Sequence, residues 1–125
     1  MIDNWDAYPN FGRDEFACQH CGDEEMNAEF MQALQELRTA FGKPLTITSG
    51  YRCPSHPIEA RKAKPGSHAS GCAADIAISR GDAVQLLRLA LNSRFTGFGV
   101  QQKGSGKFLH LDSLTTTNRP MIWSY

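Results

Sequence analysis

Between Asn27 and Phe41 the apolar residues Phe30, Ala33, Leu34, Leu37, Ala40 and Phe41 recur at three- and four-residue spacing, while Gln32, Gln35, Glu36 and Arg38 fall off the stripe. That period predicts an amphipathic helix, with Asn27 placed to cap it, Glu29 suited to its first turn and Gly42 ending it. A second helical period, Val84, Leu87 and Leu91 with Ala83 and Ala90, predicts a helix from about 82 to 92. Ser79-Arg80-Gly81-Asp82 before it has the spacing of a capping box, with Asp in place of the usual Glu. Elsewhere the pattern alternates or is β-branched, so Pro44 to Thr48 and Ala73 to Ile78 read as strands. Gly97 to Val100 and Lys107 to Asp112 read as two strands joined into a hairpin through Gly104-Ser105-Gly106. In the second of these, His110 and Asp112 are two apart and share a face with Phe108, while Leu109 and Leu111 point into the core. Helices and antiparallel strands in mixed order predict an α+β fold, a small antiparallel sheet with helices packed on it.

The remaining segments lack a period. Residues 1–25 read as an irregular arm anchored by Trp5, Tyr8, Phe11 and Phe16. Residues 54–67, with Pro54, Pro57, Pro65 and the basic run Arg61-Lys62-Ala63-Lys64, read as an exposed, partly mobile loop, and His56 within it as a loop histidine. The tail from Arg119 to Tyr125 is aromatic enough to be docked on the domain.

Composition narrows the class. A chain of 125 residues is expected to form a single domain, and 41% hydrophobic with 21% charged residues is the balance of a globular protein. Thirteen basic residues meet thirteen acidic ones, so no overall field draws the chain to nucleic acid or to an anionic membrane. The first residues offer no secretory leader and no run is long enough to span a bilayer, so synthesis in the cytoplasm without a signal peptide is expected. A monomer is expected. Cys18-Gln19-His20-Cys21 is a C-x-x-C, compatible with a structural, Cys-bound zinc or with redox chemistry. Cys53 and Cys72 are too far apart to form the second half of a zinc ribbon, and the four cysteines also fit a free, packing role or a disulfide.

The chemistry concentrates in Gly66-Ser67-His68-Ala69-Ser70-Gly71-Cys72-Ala73-Ala74-Asp75, answered by Phe108-Leu109-His110-Leu111-Asp112. Two imidazoles and two carboxylates among small and apolar residues are the make-up of a metal site. A catalytic zinc takes three nitrogen or oxygen ligands and a water, and His68, Asp75 and His110 supply such a set. Arg52, just after the strand ending in Ser49-Gly50, is placed either to face a substrate carboxylate or oxyanion, or to pair with a structural Asp.

Ser49-Gly50-Tyr51-Arg52, then His68-x-x-Gly71-x-Ala73-Ala74-Asp75, then His110-x-Asp112, resemble the zinc D-Ala-D-Ala carboxypeptidase and endopeptidase family of peptidoglycan peptidases, in its small bacteriophage-type branch. The likeness extends over nearly the whole chain, including the Cys-containing arm and the closing Trp-x-Tyr, and implies a scaffold shared with hedgehog signalling domains. It implies one catalytic zinc on His68, Asp75 and His110, and a substrate-holding Arg52. The chain departs from the family's pattern twice. Gly66 stands where the family carries a Ser, leaving the adjacent Ser67 as the substrate-contacting candidate. Lys107 and Phe108 stand where other branches place a catalytic base, leaving Asp112 either as that base or as the group that orients His110.

The function so implied is hydrolysis of peptidoglycan stem peptides by metal-activated water, in the manner of an endolysin acting after lysis or holin release or as part of a phage particle. The alternative is a zinc-stabilised cell-wall-binding or virion-structural module without turnover, suggested by the missing upstream base. A third reading, a redox protein using Cys18 and Cys21, lacks the βαβ context such motifs need.

Overall fold

The computed structural model describes residues 2–63 and 66–125. Helix α1 spans Arg13–Phe16, α2 Ala28–Phe41, α3 Pro57–Ala60 and α4 Arg80–Leu91. Strands β1 (Thr46–Ser49), β2 (Ala73–Ala77), β3 (Gly97–Gln101), β4 (Phe108–Asp112) and β5 (Met121–Ser124) form one sheet in the order β1-β2-β4-β3-β5. Every neighbouring pair is antiparallel except β3 and β5, which run parallel. The fold is α+β, and among the described residues no helix is long and apolar enough to cross a membrane.

Helix α2 forms where its stripe predicts. Asn27 Oδ1 accepts from the Phe30 N–H at one end, and Gly42 stops the helix in the left-handed conformation at the other. Phe30, Met31, Ala33, Leu34 and Leu37 are buried on its inner face. Ala74, Ile76, Phe98, Leu109 and Leu111 cover one face of the sheet and join them in the core. Alternation along β2 and β4 then obliges Asp75, His110 and Asp112 to the opposite face.

Helix α4 differs from its expected pattern. Val84 and Leu91 are 56% and 53% exposed, and the buried positions are Ala83, Leu86 and Ala90. The helix begins at Arg80, and the 83-86-90 spacing turns the Val84 side outward. The Ser79–Asp82 capping box does not form; Ser79 makes no side-chain cap, and Asp82 Oδ1 accepts instead from Lys43 Nζ at 2.7 Å.

The N-terminal arm is more ordered than its aperiodic sequence suggests, containing a turn at Trp5–Ala7 as well as α1. Its aromatics pack as expected, with Trp5 stacked on Phe16 at 5.5 Å and Tyr8, Phe11 and Phe16 buried. The tail contributes β5, a strand that its exposed residues Met121 and Ile122 did not signal by alternation, because it lies at the sheet's edge. The stretch 54–67 is largely exposed, as expected of it, but is not wholly loop. It folds α3, capped by His56 Nδ1 accepting from the Ile58 N–H, and buries the carboxylate of Glu59. Lys64 and Pro65 of that stretch lie outside the described residues.

Candidate metal centre

A transverse row of the sheet sets the site. Ser49 pairs with Asp75, Asp75 with His110, His110 with Gly99, and Gly99 with Trp123, across β1, β2, β4, β3 and β5. Residues directly opposite on neighbouring strands share a face, so the Asp75 carboxylate and the His110 imidazole meet without any loop to aim them. His68 comes from outside the sheet, on the 3-10 turn Ser67–Ser70. Gly71 ends that turn at φ 77°, and a Cβ there would collide with the Glu25 carbonyl, so only glycine lets the chain turn from His68 into β2.

Two imidazoles converge on one carboxylate oxygen. His68 Nε2 lies 3.2 Å and His110 Nδ1 3.0 Å from Asp75 Oδ1, with the three side chains 6%, 3% and 12% exposed. The far nitrogen of each ring is held from behind. His68 Nδ1 bonds the Gly50 carbonyl at 2.8 Å, and His110 Nε2 bonds Asp112 Oδ2 at 2.8 Å. Those acceptors fix both tautomers so that His68 Nε2 and His110 Nδ1 face inward. Burial opposes ionisation of Asp75, but the His110 and His68 imidazoles beside it outweigh burial and hold the carboxyl well below the usual range. Burial also opposes protonation of His110, and the Asp112 and Asp75 carboxylates more than reverse that, raising its pKa.

Asp112 is fully buried and fully engaged. Oδ1 accepts from Arg119 Nε at 3.0 Å and the Leu114 N–H at 3.3 Å; Oδ2 accepts from Arg119 Nη2 and His110 Nε2, each at 2.8 Å. These four bonds use the lone-pair directions of a carboxylate. Its neighbour across the ladder is Gly97, where a Cβ would run into the carboxylate. Trp123 closes the other side, its ring 5.1 Å from His110 and 5.1 Å from the Arg119 guanidinium carbon.

Arg52 reaches the same centre from the loop after β1. Its guanidinium lies 3.8 Å from Asp75 Oδ2 and 3.6 Å from Glu59 Oε2, and its backbone N–H bonds the His68 carbonyl at 3.2 Å. Glu59 in turn accepts from the Gly66 N–H at 2.8 Å and Lys62 Nζ at 2.9 Å. A polar cleft of about 150 Å³, lined by Thr48, Ser49, Gly50, Arg52, His56 and Ile58 among others, opens beside Arg52. Ser67 is half-buried at the start of the turn that carries His68, and the described contacts place only its carbonyl, bonded by Ser70 Oγ.

The donor set fits a divalent metal. Two inward imidazole nitrogens and an ionised carboxylate oxygen lie within 4.8 Å of one another, and each histidine has its outward acceptor already in place. Sequence reading found the convergent groups and Arg52 but not Glu59, Arg119 or Trp123. A signal for Arg119 existed, since a buried Asp112 requires a cationic partner. None pointed to Glu59, hidden in a Pro-rich, basic stretch.

No curated protein matches the chain. The family model described as peptidase M15 matches residues 9–112, from the N-terminal arm to Asp112. Members of that family are zinc-dependent metallopeptidases. The chain therefore belongs to the peptidase M15 family, the zinc D-Ala-D-Ala carboxypeptidase family.

Proposed function

We propose that this metallopeptidase hydrolyses peptidoglycan stem peptides, as a D-Ala-D-Ala carboxypeptidase or endopeptidase delivered to the wall by lysis or in a phage particle. The observation that carries the reading is the meeting of His68 Nε2 and His110 Nδ1 on Asp75 Oδ1, with both rings locked from behind. A zinc ion held by His68, Asp75 and His110 would supply Lewis acidity toward a peptide carbonyl and water. His68, Asp75 and His110 keep the donor atoms in one orientation, so little reorganisation is required when the ion binds.

Asp112 acts on this reading as a positioning residue. It keeps the His110 proton on Nε2, and its four bonds leave no lone pair to collect a proton from water. Arg52 presents a fixed positive charge between the metal ligands and the cleft. Stem peptides carry free carboxylates, and one oriented guanidinium suits them without any net charge on the protein. Ser67, on the turn leading to His68, is placed as a further substrate contact.

The engagement of Asp112 favours one other reading, a zinc-stabilised wall-binding or virion module that does not turn over. Mass spectrometry of defined stem peptides separates the two. Peptides ending in D-Ala-D-Ala and cross-linked dimers are incubated with zinc-loaded and chelator-treated protein. The peptidase reading expects zinc-dependent loss of D-Ala or cleavage of the cross-link; wall binding with neither product supports the module.

A further inference from the structure

We infer that Cys18, Cys21 and Cys53 form a second metal site, a thiolate centre for a structural zinc ion that fastens the N-terminal arm to the loop bearing Arg52. The three Sγ atoms lie within 4.8 Å of one another, and those of Cys18 and Cys53 are 3.6 Å apart. Tetrahedral zinc with sulfur at about 2.3 Å requires sulfurs about 3.8 Å apart, so the cluster needs little adjustment. A disulfide needs a separation of about 2.05 Å, and all four cysteines are free.

The backbone around Cys18 brings the sulfurs together. The Gly22 N–H bonds the Cys18 carbonyl and the Cys18 N–H bonds the Asp23 carbonyl, each at 2.7 Å, closing a tight turn that returns Cys21 beside Cys18. The Cys53 N–H donates to Cys18 Sγ at 3.4 Å. That donor joins the arm's sulfur to the loop that carries Cys53 and orients it toward the Cys53 sulfur. The fourth coordination position is left to water or to an imidazole. His20 lies between the paired cysteines in sequence, and the His56 N–H bonds the Cys53 carbonyl.

The site joins segments 35 residues apart. Cys18 follows Phe16, whose carbonyl accepts from the Tyr51 N–H at 2.8 Å, and Cys53 directly follows Arg52. An ion there ties the arm to the Tyr51–Cys53 loop and thereby holds the base of the Arg52 side chain.

Metal analysis of the full chain, purified under reducing conditions with zinc, tests this independently of peptidase activity. Two zinc ions are expected in the unaltered chain, and one each in the His68→Ala/His110→Ala and Cys18→Ser/Cys53→Ser variants. To keep the test independent of how the cysteine variant folds, the His68→Ala/His110→Ala chain is also loaded with cobalt(II). A near-ultraviolet sulfur-to-cobalt charge-transfer band, together with thiols that alkylate only after chelation, supports the site. One zinc in the unaltered chain and none in the histidine variant overturns it, as does an intact mass lower by two hydrogens from a Cys18–Cys53 disulfide.

Discussion

Asp75 and His110 are direct partners across β2 and β4, with carboxylate oxygen and imidazole nitrogen 3.0 Å apart. The pairing makes the metal centre a property of sheet register. A one-residue slip of β4 would send His110 into the core and Leu109 or Leu111 to the site face. The Asp75–His110 part of the centre is therefore as rigid as the ladder that carries it.

The Asp112 carboxylate acts on the metal through His110. Asp112→Asn keeps the shape but weakens the acceptor behind His110 Nε2, and should lower zinc affinity by about 10- to 100-fold. Competition against a chelator measures this. Unchanged affinity combined with lost hydrolysis would instead mark Asp112 as the base.

Arg119 neutralises Asp112 with two hydrogen bonds, and Asp112 has no exposure to water. Arg119→Leu leaves that carboxylate buried and uncompensated, at a cost of about 3 kcal/mol. Denaturant unfolding should show the loss, and Arg119→Lys should recover only part of it, because one ammonium cannot reproduce the two-pronged contact.

Arg52→Ala should reduce hydrolysis of stem peptides by about 100-fold, the scale for removing an oriented oxyanion donor. Zinc content should be unchanged, since His68, Asp75 and His110 all remain and Asp75 keeps both histidine contacts. Loss of zinc along with activity would show that Arg52 serves chiefly to hold Asp75.

Glu59 links stability to pH. Burial pushes its pKa up, but Lys62, the Gly66 N–H and Arg52 together pull it below the ordinary glutamate value. Ionised Glu59 thus favours the folded chain at any pH above that ordinary value, and its contribution disappears as pH falls through the lower folded-state value. Thermal midpoints of the unaltered chain and Glu59→Gln should differ at neutral pH and converge in acid. A gap that persists in acid contradicts the assignment.

The sequence displayed the centre where the chemistry is local or periodic. His68, Asp75 and His110 stand among small and apolar residues that give them no other role, and strand alternation put His110 and Asp112 on one face. Helix α2 was equally plain because its stripe, cap and stop agree. What escaped was set by contacts distant in sequence. Glu59 is buried because the Gly66 N–H and Arg52 converge on it, and Arg119 becomes part of the site only because the segment leading into β5 lies beside Asp112. Val84 and Leu91 misled because helical period fixes a stripe only to within one position, and core packing chose Leu86.

The most direct test is release of soluble peptides from purified peptidoglycan by the unaltered chain and by His68→Ala, at equal protein and equal zinc. The account predicts release by the unaltered chain that stops with chelator and resumes with zinc, and none by His68→Ala despite a native circular dichroism spectrum. Equal release by the two proteins contradicts it.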